Sequence, residues 1–212
     1  GTAEVLSAAP TPTDAGYYAV WIPPLAALGT SGTWPRGVTY AVDVSASMGG
    51  ARLAAVRQAV AGSLAQLGPS DRFGLVVFGI QATAMSPTPV PATAGNQEAA
   101  LAFLDAQTAR GGASYEAGLR QAASLPFPDG WTNHVVLLTD GAPTVGVADA
   151  EGLAEAARAA APGGLVVNAV GIGDVVDGDL LRRLCSLLDG SATLLDQEGE
   201  LAARLSDLFA TA

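Results

Sequence analysis

The sequence predicts an α/β fold with a doubly wound, mostly parallel sheet and helices on both faces. Apolar, β-rich runs alternate with amphipathic helical stretches along residues 37–209. Residues 135–138 and 165–167 are apolar at every position, which is typical of parallel strands that are covered on both faces. A length of 212 residues with an apolar fraction of 50% suits one domain with a substantial core.

The first elements are marked by apolar runs and by the Pro and Gly residues that end them. Residues 1–15 are rich in Ala, Thr and Pro, have no apolar period, and predict an extended lead-in. Residues 17–22 predict an edge strand, which Pro23 ends. Residues 38–43 predict a short strand that leads into a helix over 51–67, where apolar residues recur at spacings of three and four.

The remaining elements follow from the same two periodicities. Short β-branched runs predict strands, and apolar residues recurring every three or four positions predict helices. The strands are 72–78, 79–86, 133–139, 165–171 and 192–196, and the helices are 97–106, 115–125, 147–161, 179–188 and 199–209. The proline-rich segment 87–91 predicts a loop. We therefore expect an N-terminal extension with an edge strand over 1–36 and one α/β domain over 37–212.

Charge and rare residue types narrow the classes of function. Ten basic residues against twenty acidic ones give a net charge of −10, which disfavours nucleic acid and anionic membrane surfaces as partners. Cys185 and His134 are the only residues of their types, so most nucleophilic chemistry lacks a second group, and we expect both to be structural. No run approaches the ~20 apolar residues of a membrane span, and we expect no signal peptide in these residues.

Two loops that follow predicted central strands carry the polar residues of interest. In an open parallel sheet, ligands bind beyond the carboxyl ends of the strands. A spacing of two directs Asp43, Ser45 and Ser47 into one crevice, and Asp140 begins the second loop. Hydroxyl and carboxylate oxygens suit Mg²⁺. The Asp-x-Ser-x-Ser pattern alone is a weak signal, because Asp and Ser also cap helices, but a second aspartate at another strand end strengthens it.

These motifs resemble the von Willebrand factor A family over residues 37–209. The matching features are Asp43-x-Ser45-x-Ser47 after an apolar strand, Gly111-Gly112 before a helix, and Thr139-Asp140-Gly141 after the next strand. The chain is particularly similar to bacterial and secreted relatives that pair this domain with an inter-alpha-trypsin-inhibitor-type domain. The resemblance implies a Rossmann-like, six-stranded sheet with one antiparallel edge strand and an extra N-terminal strand. It also implies a metal-ion-dependent adhesion site that binds Mg²⁺ or Mn²⁺.

The resemblance implies a metal shell formed by Asp43, Ser45, Ser47 and Asp140, together with a threonine from the loop between them. This chain departs from the family at that threonine, because the position falls on Ala113. Ser114, one place later, is the candidate substitute. Since water can occupy a vacant position, loss of one oxygen ligand weakens metal affinity without abolishing it.

Three functions are compatible with these residues. The first is a metal-dependent protein-binding or adhesion module, in which the ion captures an Asp or Glu of a partner. The second, which Ala113 favours, is a metal-independent scaffold or regulatory subunit for a neighbouring domain or an AAA-type ATPase. The third, a metal-dependent hydrolase, needs a base near the ion, and Asp43 and Asp140 would already belong to its shell. We therefore expect no enzymatic activity, and we favour a cell-surface or secreted setting.

Overall fold

The computed structural model describes residues 4–8, 17–21, 35–173 and 175–210 and divides the chain into two units, 1–34 and 35–212. In the first unit, β1 (Glu4–Ala8) pairs antiparallel with β2 (Tyr17–Trp21). The strand predicted over 17–22 is present, and its last residue lies outside the described ones. The lead-in predicted over 1–15 contains β1, which the sequence did not reveal because a five-residue strand depends on a partner later in the chain.

The second unit is built on a sheet of seven strands among the described residues. They are β3 (Gly37–Asp43), β4 (Arg72–Phe78), β5 (Ala82–Ala84), β6 (Val90–Pro91), β7 (Thr132–Thr139), β8 (Gly164–Ile172) and β9 (Ala192–Leu195). The order is β5-β4-β3-β7-β8-β9, and β6 also pairs with β4. Strands β3, β4, β7, β8 and β9 are mutually parallel, while β5 and β6 run antiparallel to β4. The predicted, mostly parallel architecture is confirmed.

One strand more than predicted enters the sheet. Residues 87–91 were predicted as a loop, but Val90 pairs with Phe73 and Pro91 with Arg72 at the start of β4. Because proline has no backbone N–H to donate, such a pairing is tolerated only at a sheet edge. The seventh strand is therefore a two-residue addition at the margin of the predicted sheet.

Helices cover both faces of this sheet, as predicted, with three on each face among the described residues. They are α1 (Ala51–Leu64), α2 (Ala94–Asp105), α3 (Tyr115–Ala123), α4 (Ala150–Ala160), α5 (Gly178–Leu187) and α6 (Leu201–Ala210). Helices α1, α2 and α6 share one apolar cluster with the sheet, and α3, α4 and α5 share the other. Side chains that accept a bond from a first-turn N–H begin four of them: Thr93, Ser114, Asp149 and Asp177.

Burial on both faces fixes the central strands and, through them, the loops at their ends. All seven residues of β3 are buried. Helix α3 packs closely against β4 at Gly118. A Cβ atom at this position would lie only 2.6 Å from the Phe78 ring, so a glycine is needed there. Cys185 is also buried, and burial raises the pKa of its thiol to about 12, which disfavours the reactive thiolate form. Among the described residues, no helix is long and apolar enough to cross a bilayer.

Candidate metal centre

The sheet register brings the two predicted aspartates to one edge. Strands β3 and β7 are parallel neighbours in which Val42 pairs with Leu138, so the residues that follow them leave the sheet side by side. The Thr139 hydroxyl donates to Asp43 Oδ2 at 2.7 Å. Asp43 and Asp140 are 1% and 0% exposed. Two carboxylates therefore lie buried at adjoining strand ends, as the sequence predicts.

The backbone after β3 folds onto the Asp43 carboxylate. Asp43 Oδ1 accepts a hydrogen bond from the backbone N–H of Ser45 at 2.8 Å. Burial raises the pKa of Asp43, the bonds from Ser45 and Thr139 oppose that rise, and the nearby charge of Asp140 adds to it. Keeping Asp43 negatively charged therefore costs free energy, and a cation bound beside it in the crevice would offset that cost.

A short 3₁₀ turn, Ala46–Met48, presents the second serine. Met48 is fully buried and anchors the turn, whereas Ser47 is exposed. The Ser47 hydroxyl donates to Asp140 Oδ1 at 2.8 Å and lies 3.2 Å from Ser45 Oγ. The residues predicted from the loops after β3 and β7, which are Asp43, Ser45, Ser47 and Asp140, therefore form one hydrogen-bonded cluster.

The loop before α3 places Ser114 differently. Its hydroxyl accepts from the backbone N–H of Ala117 at 3.3 Å and caps α3. The backbone N–H of Ala113 donates to Thr144 Oγ1 at 2.8 Å, and the Ala113 carbonyl accepts from the N–H of Thr144 and of Val145. Helix capping thus employs the Ser114 oxygen, and its role as a replacement metal ligand stays a prediction.

The hydroxyls of Tyr115 and Thr139 support the Asp43 carboxylate, and sequence reasoning assigned a role to neither of them. The buried Tyr115 hydroxyl lies 2.8 Å from Thr139 Oγ1 and donates to the Gly141 carbonyl, also at 2.8 Å. Burial raises the pKa of this phenol, so it remains a neutral donor. The support crosses from α3 to the end of β7, and no local spacing in the sequence reveals it.

Sequence reasoning also missed Arg52, in the first turn of α1. Its Nη1 lies 2.7 Å from Asp140 Oδ2 and donates at 3.3 Å to the Ser47 carbonyl. The available signal was a basic residue five positions after the last serine of the motif, at the start of the following helix. Arg52 thus supplies a positive charge to the predicted metal site.

The carboxylate and hydroxyl oxygens of this cluster are suitable ligands for a hard divalent cation. The described residues contain no group of three or more His, Cys, Asp or Glu side chains arranged to hold a metal. The candidate centre instead combines two carboxylates with two serine hydroxyls, and these oxygens suit Mg²⁺ or Mn²⁺ better than a soft ion. A site with so few carboxylates relies on water or a partner to complete six-fold coordination.

Comparison with known proteins identifies the family. A family model described as von Willebrand factor type A domain matches residues 37–194. The chain is 31% identical over 185 residues to human inter-alpha-trypsin inhibitor heavy chain H4, a match that covers 84% of this chain and 20% of that protein. The bovine H4 protein is 29% identical over the same length. The chain thus spans about a fifth of the length of these curated relatives.

Solved structures match the same fold. A von Willebrand factor type A protein from Catenulispora acidiphila has a TM-score of 0.75 at 22% identity, covering 84% of this chain and 43% of that one. A pilus adhesin from Lactobacillus rhamnosus GG has a TM-score of 0.67 at 22% identity, covering 84% and 30%. Proximal thread matrix protein 1 of the mussel byssus, with a zinc-occupied metal-ion-dependent adhesion motif, has a TM-score of 0.67 at 20% identity, covering 82% and 44%. Fold, sequence match and loop motifs agree: the chain belongs to the von Willebrand factor type A domain family, whose members are protein-interaction modules.

Proposed function

We propose that this domain is a metal-ion-dependent protein-binding module that holds Mg²⁺ or Mn²⁺ at Asp43, Ser45, Ser47 and Asp140. The observation that carries the proposal is the single hydrogen-bonded cluster that these residues form at the carboxyl ends of β3 and β7. Buried carboxylates are costly without a compensating positive charge. Arg52 supplies part of that charge at Asp140, and a divalent ion beside Asp43 and Asp140 would supply the rest.

The proposed ligand is an Asp or Glu side chain of a partner protein. Because serine hydroxyls are neutral, an ion that they bind keeps much of its positive charge. Ala113 supplies no side-chain oxygen, which leaves one more coordination position for water or for a partner. A carboxylate from another protein is the ligand that best satisfies such an ion. We propose binding without catalysis, because Asp43 and Asp140 are committed to the cluster and hence to the ion's shell.

The relatives support a divalent cation and an adhesive setting. The mussel protein has a zinc-occupied motif of this class, and the Lactobacillus protein is a pilus adhesin. Pilus adhesins and inter-alpha-trypsin inhibitor heavy chains are surface or secreted proteins. We propose a cell-surface or secreted setting for this chain as well, with Mg²⁺ or Mn²⁺ as its ion.

Calorimetric titration of Mn²⁺ and Mg²⁺ into the chelator-stripped protein tests the metal centre. We expect saturable binding that Ser45→Ala with Ser47→Ala weakens at least about tenfold, since both direct hydroxyl ligands are lost. Ser124→Ala is the matched control, because its hydroxyl bonds only within the end of α3, to the Gln121 carbonyl. Equal affinity in the double variant and the parent protein would contradict the proposed ligand set.

Peptide capture tests the acidic partner. Immobilised peptides that carry one Glu or Asp, each paired with its Gln or Asn counterpart, are probed with metal-loaded protein. We expect retention on the acidic member of some pairs, lost in chelator and in the Ser45→Ala, Ser47→Ala variant. Retention that depends neither on the carboxylate of the peptide nor on the absence of chelator would favour a metal-independent binding surface instead.

Two observations keep a scaffold or regulatory role as the second candidate. Ala113 lacks the family's hydroxyl, and Arg52 already pairs with Asp140. Under this reading the domain uses a helix face or an edge strand for a neighbouring domain or an AAA-type ATPase. Absence of binding at millimolar Mg²⁺ and Mn²⁺ would select it.

A further inference from the structure

We infer that Arg52 is a tethered cation that competes with a divalent ion for Asp140, so that metal binding requires displacement of the guanidinium. This inference rests on the proposed function of the centre and concerns its regulation. In this role Arg52 opposes metal binding. It neutralises the Asp140 carboxylate while the metal is absent, and its presence lowers the affinity of the site for metal.

The contacts of Asp140 carry the first step. Its side chain is fully buried, and its two carboxylate oxygens have different partners. Oδ1 accepts from the Ser47 hydroxyl at 2.8 Å, and Oδ2 accepts from Arg52 Nη1 at 2.7 Å. Arg52 therefore occupies Oδ2, the carboxylate oxygen that Ser47 does not bond. An ion that binds Oδ2 must displace the guanidinium.

The position of Arg52 within its helix carries the second step. A basic side chain in the first turn opposes the helix dipole, whose positive end lies there. The dipole of helix α1 therefore disfavours an arginine at this point, whereas the buried Asp140 carboxylate gains a counter-charge. The favourable electrostatic contribution of Arg52 thus comes from its pairing with Asp140.

Room for the guanidinium is provided at the end of β8. Gly173 has φ +98°, and a Cβ built there would lie 3.1 Å from Arg52 Nη2. A glycine thus allows the planar group to lie against the backbone. Glu198 offers a second anchor, because its Oε1 is 3.9 Å from Arg52 Nε and its side chain is 39% exposed. The Arg52 side chain is 27% exposed, so its guanidinium can turn toward Glu198 when an ion occupies Asp140.

The test compares Arg52→Gln with Arg57→Gln in Mn²⁺ calorimetry on the whole chain. Arg57 lies on the same helix, is 30% exposed, and donates to the carbonyls of Leu104 and Gln107, so it controls for the loss of one positive charge from α1. We expect Arg52→Gln to bind Mn²⁺ at least about tenfold more tightly than the parent, because a like charge beside the ion is removed. Arg57→Gln should match the parent.

Thermal unfolding provides a readout that does not depend on metal affinity. Without metal, Arg52→Gln should melt about 3–6 °C below the parent, since Asp140 is left buried without its cation. At saturating Mn²⁺ this gap should close, because the ion takes over the role of the guanidinium. Arg52→Met, which keeps an apolar stem, serves if the glutamine variant does not fold.

Each outcome bears on one of the two proposals. Equal or weaker Mn²⁺ binding by Arg52→Gln overturns the inference and leaves the proposed function standing, provided that Ser45→Ala with Ser47→Ala still loses the ion. Binding by Arg52→Gln alone upholds the inference and overturns the metal-dependent function of the unmodified chain. If neither protein binds, both proposals fail.

Discussion

The two ends of the central sheet each hold a buried aspartate bonded to an arginine, and the two ends differ in how fully the chain offsets the cost of burying carboxylate charge. At the amino ends of β3 and β4, Asp71 pairs with Arg36 at 2.8 Å. At the carboxyl ends of β3 and β7, Asp140 pairs with Arg52 at 2.7 Å, and Asp43 lies beside them. We expect these similar residue types to serve two different purposes within one sheet.

The amino-end pair is satisfied by the chain itself. Asp71 accepts from Nε and Nη2 of Arg36, from the backbone N–H of Arg36, and from the backbone N–H of Gly68, at distances of 2.8 to 3.2 Å. Burial tends to raise the pKa of Asp71, but these donors and the guanidinium charge outweigh it, so the pKa is lowered. The charged carboxylate is here the stable form, and we expect a purely structural role.

The carboxyl-end cluster shows the opposite balance. Burial raises the pKa of Asp43, the charge of Asp140 raises it further, and the bonds from Ser45 and Thr139 do not compensate. Asp43 and Asp71 thus differ in balance: donors and a guanidinium outweigh burial at Asp71, whereas hydroxyl and backbone donors do not outweigh it at Asp43. We therefore expect Asp43 to be a ligand and Asp71 to be part of the scaffold.

The largest effect that separates the two ends is on metal affinity. We expect Asp43→Ala to weaken Mn²⁺ binding at least about 100-fold, because a carboxylate of the cluster is removed. Asp71→Asn should leave the dissociation constant unchanged within about twofold. Calorimetric titration of both variants measures this. If Asp71→Asn loses the ion as well, the two ends are not independent.

The next effect is on stability without metal. We expect Asp71→Asn to lower the free energy of unfolding by about 2 kcal/mol, since the charged carboxylate that Arg36 pairs with is lost while the Arg36 side chain is 29% exposed to solvent. Urea unfolding of the chelator-stripped protein measures the difference. A change below about 0.5 kcal/mol, which is usual for surface sites, would show that the pair is not structural.

The same pair has a predictable dependence on pH. Because the pKa of Asp71 in the folded protein lies below its ordinary 3.8, its contribution is complete above pH 3.8 and is lost as the pH falls through the lower folded value. The stability difference between the parent and Asp71→Asn should therefore be constant from pH 7 to 5 and shrink below pH 3.8. Urea unfolding of both proteins at several pH values tests this. A stability difference that grows as the pH falls would contradict a lowered pKa of Asp71.

The smallest effect concerns the support beneath Asp43. Tyr115→Phe removes the hydroxyl that contacts Thr139 and the Gly141 carbonyl. We expect about 1 kcal/mol less stability and about threefold weaker Mn²⁺ binding, because Thr139 then donates to Asp43 from a less constrained position. Unaltered affinity with reduced stability would limit Tyr115 to packing.

The sequence predicted most of the fold because apolar strand segments alternate with helical stretches along residues 37–209, and the family resemblance implied the same topology. It missed β1 and β6, since both are short strands defined by partners elsewhere in the chain. The proximity of the Asp43 to Ser47 loop and Asp140 could be predicted because the carboxyl ends of parallel strands lie at one edge of the sheet. Arg52 and Tyr115 could not, because their roles depend on side-chain contacts across 88 and 24 residues of chain.

The most direct test of the difference between the two ends is the melting temperature of the chelator-stripped protein as Mn²⁺ is added. At a free concentration of about 100 times the dissociation constant, a specific ion adds about 2.7 kcal/mol, or about 6–10 °C for a domain of this size. We expect that rise in the parent and, from a lower start, in Asp71→Asn, but not in Asp43→Asn. A parent protein whose melting temperature does not move at millimolar Mn²⁺ would contradict a metal centre at the carboxyl ends of β3 and β7.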